Sequence, residues 1–306
     1  MCKQVGEYIW YNYYVKSKKD KYAMKDLNKI SIEDLGKGSK IKLEPCDVEH
    51  DMYWRVAIDV LETIQKNNEQ GQPTVMVVPY GPLGPYSRLV YLINKYRVSL
   101  KNCVFINMDE YLTDDKKYID NLDPLSFRGG MDRIFYSKID EELNIPSENR
   151  YFPDPENPEK VMEIIKKYGK LDLVFGGVGI NGHYAFNEPP KDNEDCSNLE
   201  FMNRPTRVLE VSLETRTVNA VMNCGGDIDQ IPKYCITVGM KEIFMAKKII
   251  MCQPRDWNAG ALRKILHGEP TSKVPCSLFQ NHNNAVLYAT TVAMQPTKPE
   301  IRVYNK

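Results

Sequence analysis

Short apolar runs alternate with amphipathic stretches along most of the chain. The runs are Thr74–Val78, Cys103–Met108, Leu171–Phe175, Val208–Leu213, Cys235–Val238, Lys248–Cys252 and Ala285–Ala293. Between them, helical spacing of apolar positions marks Tyr86–Tyr96, Met131–Glu142, Pro158–Tyr168, Thr215–Asn223 and Asn258–His267. An earlier helix is predicted from Asp51 to Lys66, where Met52, Val56, Ile58, Leu61 and Ile64 recur until Asn67–Gly71 stops it. This alternation predicts an α/β fold with a mostly parallel sheet flanked by helices. Ligands of such sheets bind beyond the carboxyl ends of the strands, where strand order reverses. The residues just after each run are therefore the first candidates for chemistry. Residues 114–124 are polar and charged and are predicted as a loop.

Residues 1–40 break the pattern, with Trp10, five tyrosines, lysines clustered at 16–22 and no clear strand. They are predicted to be an N-terminal extension that packs on the main domain through its aromatics, residues 41–306 forming a single α/β domain. Composition narrows the function. Of 306 residues, 41 are Lys or Arg and 41 are Asp or Glu, so the formal charge is zero. That balance argues against a nucleic-acid partner, which needs a basic stripe, and against a polybasic membrane anchor. No apolar run approaches the roughly 18 residues that span a bilayer, and Met1–Gln4 opens no signal core. The expectation is a cytoplasmic protein with no membrane partner. The eight cysteines are scattered without a C-x-x-C pair, which suits reduced core thiols. No Cys/His cluster has zinc-ligand spacing, so no metal is expected.

Three strand ends stand out. Val77-Val78-Pro79-Tyr80-Gly81-Pro82-Leu83-Gly84-Pro85-Tyr86 is a Gly/Pro turn feeding a helix, where backbone N–H groups meet an anion or simply turn the chain. Tyr80, Gly81, Leu83 and Gly84 are its candidate substrate-binding residues. Ile106-Asn107-Met108-Asp109-Glu110-Tyr111 carries two adjacent carboxylates that alternation points in different directions, one towards a cleft and one into a local pairing. In Phe175-Gly176-Gly177-Val178-Gly179-Ile180-Asn181-Gly182-His183, a strand runs into a Gly-rich loop, with Glu188 five residues past the histidine. Glycines such as Gly179 let backbone approach a ligand, and a histidine near a carboxylate moves protons near pH 7. His183 is the functional candidate among four histidines; His50, His267 and His282 need no special role.

Asn181-Gly182-His183 followed by Ala185-Phe186-Asn187-Glu188-Pro189, together with Met108-Asp109-Glu110-Tyr111, closely resembles the glucosamine-6-phosphate deaminase (isomerase) family. Pro82-Leu83-Gly84 with Tyr86, Thr215-Arg216 with Asn219, Ile236–Gly239, and Gly268 with Pro275, Ser277 and Gln280–His282 extend the resemblance over roughly 41–293. The Phe-Asn-Glu-Pro segment separates it from the related 6-phosphogluconolactonases. The resemblance implies a modified Rossmann-like sheet, and an aldose-to-ketose isomerisation coupled to loss of a C2 amine without metal or organic cofactor. By the same resemblance Asp109 moves a proton between C2 and C1, His183 opens the sugar ring, and Glu188 is the carboxylate partner of His183. Glu110 joins the candidate substrate-binding residues. The partner is a small-molecule sugar; the family includes monomers and larger assemblies, so a homo-oligomer is one of two states left open.

The chain departs from the family pattern at four places. Asn181 stands where an Asp is common; its carbonyl oxygen still orients His183 without adding charge, and it is counted with the catalytic set. The loop at Val77–Gly81 has lost the family's hydroxyl pair, and Pro79, Pro82 and Pro85 have no N–H. Val221 replaces a family Arg and Asn258, beside Trp257, a family Lys. A phosphate dianion held without cations is costly, so weakened or absent recognition of a 6-phosphate is expected unless Arg88, Arg128, Arg255 or Lys241 substitutes. Tyr80 and Trp257 offer stacking surface in place of charge. Two other readings compete with the enzyme: a non-catalytic sugar-binding or regulatory homologue, and a lactonase-like hydrolase.

Overall fold

Val75 and Val77 pack into one apolar layer while Met76 and Val78, on the alternate positions, pack into another, and all four are fully buried. A strand apolar at every position is a strand covered on both faces. In the computed structural model, which describes residues 27–297, this pattern builds a parallel sheet between two layers of helices. In chain order the elements are β1 (Lys42–Cys46), α1 (Glu49–Glu69), β2 (Thr74–Val78), α2 (Gly84–Tyr96), β3 (Cys103–Asn107), β4 (Asp109–Leu112), α3 (Phe127–Ile134), β5 (Arg150–Tyr151), α4 (Lys160–Tyr168), β6 (Leu171–Gly177), α5 (Asn198–Met202), β7 (Arg207–Glu210), α6 (Leu213–Asn223), β8 (Tyr234–Thr237), α7 (Met240–Ile243), β9 (Ala246–Gln253), α8 (Ala259–His267), β10 (Ala285–Thr290) and α9 (Thr291–Met294).

The seven-stranded sheet has the order β1-β10-β9-β6-β2-β3-β5 and is parallel throughout. Helices α1 and α2 cover the face of Met76, Val78, Phe105 and Ile250. Helices α4, α7 and α8 cover the face of Val75, Val77, Ile106 and Met251. From β2 the chain steps outward to β3 and β5; from β6 it steps the other way to β9 and β10. The order therefore reverses between β2 and β6, which is where a crevice opens at the carboxyl ends. A second sheet, β4-β8-β7, is antiparallel. The chain passes from one sheet to the other at Met108, whose N–H donates to the Val78 carbonyl at 2.8 Å and whose carbonyl accepts from Val238 N at 2.8 Å. Asp109 is the first residue of the small sheet.

Several expected boundaries move, each for a local reason. The helix expected over Met131–Glu142 runs instead from Phe127 to Ile134. It starts early because Ser126 caps it, accepting from Gly129 N at 3.1 Å, and because the Glu110 carboxylate accepts from Phe127 N and Arg128 N. The run Val208–Leu213 keeps a strand only to Glu210, since Ser212 caps α6. The run Ala285–Ala293 ends as strand at Thr290, whose hydroxyl caps α9. β1 escapes the apolar pattern because it is an edge strand, where Pro45 is tolerated and polar residues face water. Residues 114–124 form a loop whose Leu122 is exposed.

Of the N-terminal extension, the aromatic residues expected to pack on the domain lie outside the described residues. Within the described part, Leu35 is buried and Ile30 and Ile32 pack against the core. The fully buried Arg263 of α8 donates to the carbonyls of Ile30 (3.1 Å) and Met294 (3.0 Å). Five of the seven described cysteines are buried. Among the described residues no helix is long and apolar enough to cross a membrane.

Candidate active site

The loop after β6 and the loop after β2 face each other across the crevice. A Cβ added at Gly177 would come within 3.8 Å of Pro82. Between them lies a cavity of about 540 Å³. Asp109, His183, Gly179, Tyr80, Gly81, Leu83, Gly84 and Asn258 all line it, so the topology gathers most of the candidates from four separate stretches of chain.

Asp109 and Glu110 divide as strand alternation requires. Asp109 faces the cavity and accepts no hydrogen bond from the described residues at its carboxylate. Burial, with the charge of Glu110 second, pushes its pKa from 3.8 up to about 8. Glu110 corrects the expectation that it touches substrate. It is fully buried and does not line the cavity. Its oxygens accept from Tyr111 N (2.8 Å), Phe127 N (2.9 Å), Arg128 N (2.8 Å) and Ser126 Oγ (3.0 Å). Glu110 is thus an anchor for the start of α3. Burial raises its pKa, against the opposing pull of these hydrogen bonds.

Behind His183 stands a hydrogen-bonded cluster. Asn181 Nδ2 donates to Glu188 Oε2 at 2.6 Å, and Asn181 Oδ1 lies 2.8 Å from His183 Nδ1. A carboxylate only accepts, so it fixes which end of the Asn181 amide faces it, and the amide oxygen is left for the imidazole. His183 Nδ1 therefore carries a proton, and Glu188 Oε2 lies 3.2 Å from the same nitrogen. Nε2 of the neutral ring is then the acceptor, free for proton exchange with a ligand. Thr215 Oγ1 donates to Glu188 Oε1 at 2.5 Å. Burial works to raise the Glu188 pKa, but the pull of His183 when it is protonated and the hydrogen bonds from His183, Thr215 and Asn181 outweigh it and hold the group at about 2.

The backbone around this cluster explains its sequence. A Cβ at Gly179 would overlap the His183 ring, so only glycine lets the imidazole lie against that strand end. Asn187 Nδ2 donates to the carbonyls of Tyr184 (3.1 Å) and Val238 (2.9 Å), and Phe186 N donates to Thr237 Oγ1 at 3.1 Å. These bonds pin the turn that delivers Glu188, with Ala185 at φ +56° inside it.

The opposite wall is apolar and aromatic. Tyr53, Tyr80, Leu83 and Trp257 line it. Tyr53 of α1 packs on Gly84, where a Cβ would overlap its ring; Tyr80 stacks on Phe127 with ring centroids 5.0 Å apart. Asn258 lines the cavity, and its amide also braces backbone: Nδ2 donates to Val178 O and Oδ1 accepts from Arg255 N, both at 3.1 Å. Val221 points to solvent, 67% exposed. Among the described residues Arg255 is the only Lys or Arg lining the cavity, and Glu49 lies 3.1 Å from its guanidinium. The other proposed substitutes are elsewhere. Arg88 bonds Gly84 O and lies over the Tyr53 and Trp54 rings, Arg128 pairs with Glu110, and Lys241 does not line the cavity. Among the described residues no three His, Cys, Asp or Glu side chains cluster as metal ligands.

Sequence reading missed Tyr53, which only the packing of α1 against two loops brings in. It named Arg255 only as a substitute cation, and it named Thr215, Tyr111 and Asn219 only as matches to the family pattern; in the structure Thr215 bonds Glu188, and Tyr111 and Asn219 are joined at 2.8 Å on the cavity wall. The remaining histidines are satisfied without the site: His50 with Arg88, His267 with Gly36 N, His282 with Ala246 O.

The chain is similar to known proteins. The chain is 32% identical over 245 residues to a glucosamine-6-phosphate deaminase of Cronobacter sakazakii, covering 78% of this chain and 84% of that protein. It is 33% identical over 238 residues to the one of Yersinia enterocolitica, covering 76% and 82%. Among solved structures, a monomeric glucosamine-6-phosphate deaminase superposes with a TM-score of 0.69 at 24% identity, covering 83% of this chain and 98% of that one. The 6-phosphogluconolactonase of Thermotoga maritima shares the fold at a TM-score of 0.58 and 17% identity, covering 82% and 100%. No family model matches the chain. With the Asp109, His183 and Glu188 segments set on this fold, and with relatives above 30% identity over three quarters of its length, the chain belongs to the glucosamine-6-phosphate deaminase family.

Proposed function

We propose that the protein isomerises and deaminates an amino sugar, and that its substrate carries no 6-phosphate. The observation that carries the reading is the Asp109 carboxyl and the His183 imidazole lining one cavity, each tuned by its surroundings. His183 Nε2 takes and returns the proton that passes between the sugar's ring oxygen and its C1 hydroxyl, opening the ring. Asp109, ionised, removes the C2 proton of the open aldehyde and delivers it to C1. The nitrogen at C2 becomes an imine, water adds to that carbon, and ammonia leaves, so one amino aldose and one water give one ketose and one ammonia.

The raised pKa of Asp109 suits this sequence. The group is mostly protonated in the empty cavity near neutral pH, and the ammonium of an arriving amino sugar favours its ionised form. Among the described residues the one cation lining the cavity, Arg255, is paired with Glu49, which supports the unphosphorylated substrate, since a dianion there would meet aromatic rings and a cation already neutralised. Ammonia and ketose release from glucosamine and from glucosamine 6-phosphate tests the reading. Turnover of the free sugar in preference to the phosphate is expected. Ligand binding with no product from any amino sugar would instead favour the non-catalytic homologue.

A further inference from the structure

We propose that the wall formed by Tyr53, Tyr80, Leu83 and Trp257 binds an uncharged glycosyl unit, so that the amino sugar is the reducing end of a disaccharide. This rests on the amino-sugar reading above and names the substrate class.

Size is the first argument. The cavity holds about 540 Å³. A free hexosamine fills less than about 360 Å³ even if each of its heavy atoms is allowed the ~30 Å³ of a liquid water. Bonded atoms pack more closely than that, so at least about a third of the cavity is left when one ring sits at Asp109 and His183.

The second argument is the lining of the remaining space. Three aromatic side chains from three segments line the cavity: Tyr53 from α1, Tyr80 from the β2 loop and Trp257 after β9. Flat apolar rings bordered by a few polar groups suit the C–H faces of a pyranose, whose hydroxyls point outward from its rim. The polar groups are present as an ion pair. Arg255 and Glu49 stand 3.1 Å apart, with Tyr53 Oη 3.4 Å from Glu49. Arg255 and Tyr53 line the cavity, and Glu49 balances the charge of Arg255, which matches hydroxyls and not a phosphate. Leu83 is 48% exposed and lines the same wall, so the cavity opens to solvent there and leaves room for a substituent.

Chemistry sets how the second unit is joined. The reaction needs a free aldehyde at C1 and a free amine at C2, so the glycosyl group is carried on O3, O4 or O6, of which O4 and O6 lie farthest from the reacting carbons. No bond to it forms or breaks.

The test compares kcat/KM for glucosamine, glucosamine 6-phosphate, galactosyl-β-1,4-glucosamine with a free amine, and a 1,6-linked glucosyl-glucosamine. One disaccharide is expected to exceed glucosamine by about ten-fold or more, of the order that a pair of aromatic contacts supplies. Trp257→Ala should bring the disaccharide-to-glucosamine ratio to about one. Disaccharides at or below glucosamine, or a ratio unmoved by Trp257→Ala, overturn the subsite and leave the amino-sugar reaction standing. Calorimetry on Asp109→Asn separates the two claims. Tighter binding of a disaccharide than of glucosamine, without ammonia release by the unmodified protein, keeps the subsite and sinks the enzymatic reading.

Discussion

The side-chain amide of Asn181 donates to Glu188 at 2.6 Å and turns its oxygen to His183 at 2.8 Å, so one neutral group serves both partners of the proton relay. An aspartate here would set a second carboxylate against Glu188 while keeping an acceptor for the imidazole. Asn181→Asp should therefore retain turnover but need a shared proton between the two acids. The acid limb of kcat/KM should move to higher pH by about one unit. Asn181→Leu, which removes donor and acceptor together, should lower kcat by about 10–100-fold. An unchanged pH profile in the first variant would mean that the amide does not hold Glu188.

Asp109→Asn should reduce ammonia release by about 10²–10⁴-fold, the usual worth of a positioned base. The same change should stabilise the empty protein. The folded state keeps a proton up to about pH 8 that the unfolded chain gives up near pH 4. Stability is therefore lost as pH rises through that window, and an amide escapes the loss. Thermal unfolding should show the variant ahead by several degrees at pH 8 and by less at pH 5. In the unmodified protein, kcat/KM should climb with pH towards the same value. Persistent turnover in Asp109→Asn would remove Asp109 from the mechanism.

Gly179→Ala places a methyl where the His183 ring lies. The ring must shift away from Asn181 and Glu188, and kcat should fall by about 100-fold, the cost of a displacement of about 1 Å. Circular dichroism should report an intact fold, because the strain is confined to one side chain. Normal kcat in this variant would show that the ring position is not critical.

Glu49→Gln leaves the Arg255 guanidinium without its counter-charge at the cavity wall. The ratio of kcat/KM for glucosamine 6-phosphate to that for glucosamine should rise by about five- to ten-fold, the change expected when a half-exposed cation is released to a dianion. Reversal by the further change Arg255→Ala would attribute the gain to that cation. No change in the ratio would mean that Glu49 does not govern phosphate exclusion.

Much of the site was legible because its residues follow strand ends. The runs at 103–108 and 171–175 are apolar at nearly every position, so Asp109 and the loop to His183 were marked by where the apolar sequence stops. The same logic separated Asp109 from Glu110 by alternation, but not their partners, since two of the N–H groups around Glu110 belong to a helix that starts 17 residues on. The antiparallel sheet was hidden because β4 follows β3 after a single residue and reads as its continuation. Asn258 was placed at the cavity, but its bracing of backbone was not legible, because the partner is Val178, eighty residues away. The ion pair between Glu49 and Arg255 joins the start of one helix to a turn some two hundred residues later, and no local pattern anticipates it.

The crevice between β2 and β6 has one further consequence, an evolutionary one. Its proton-handling side is built from residues 109, 179–188 and 215, and its ligand-sorting side from residues 49–53, 80–84 and 255–257. The two sets share no segment, so substitutions accumulate in one without disturbing the geometry of the other. A lineage can thus exchange the far end of its sugar many times over while inheriting a single reaction unchanged.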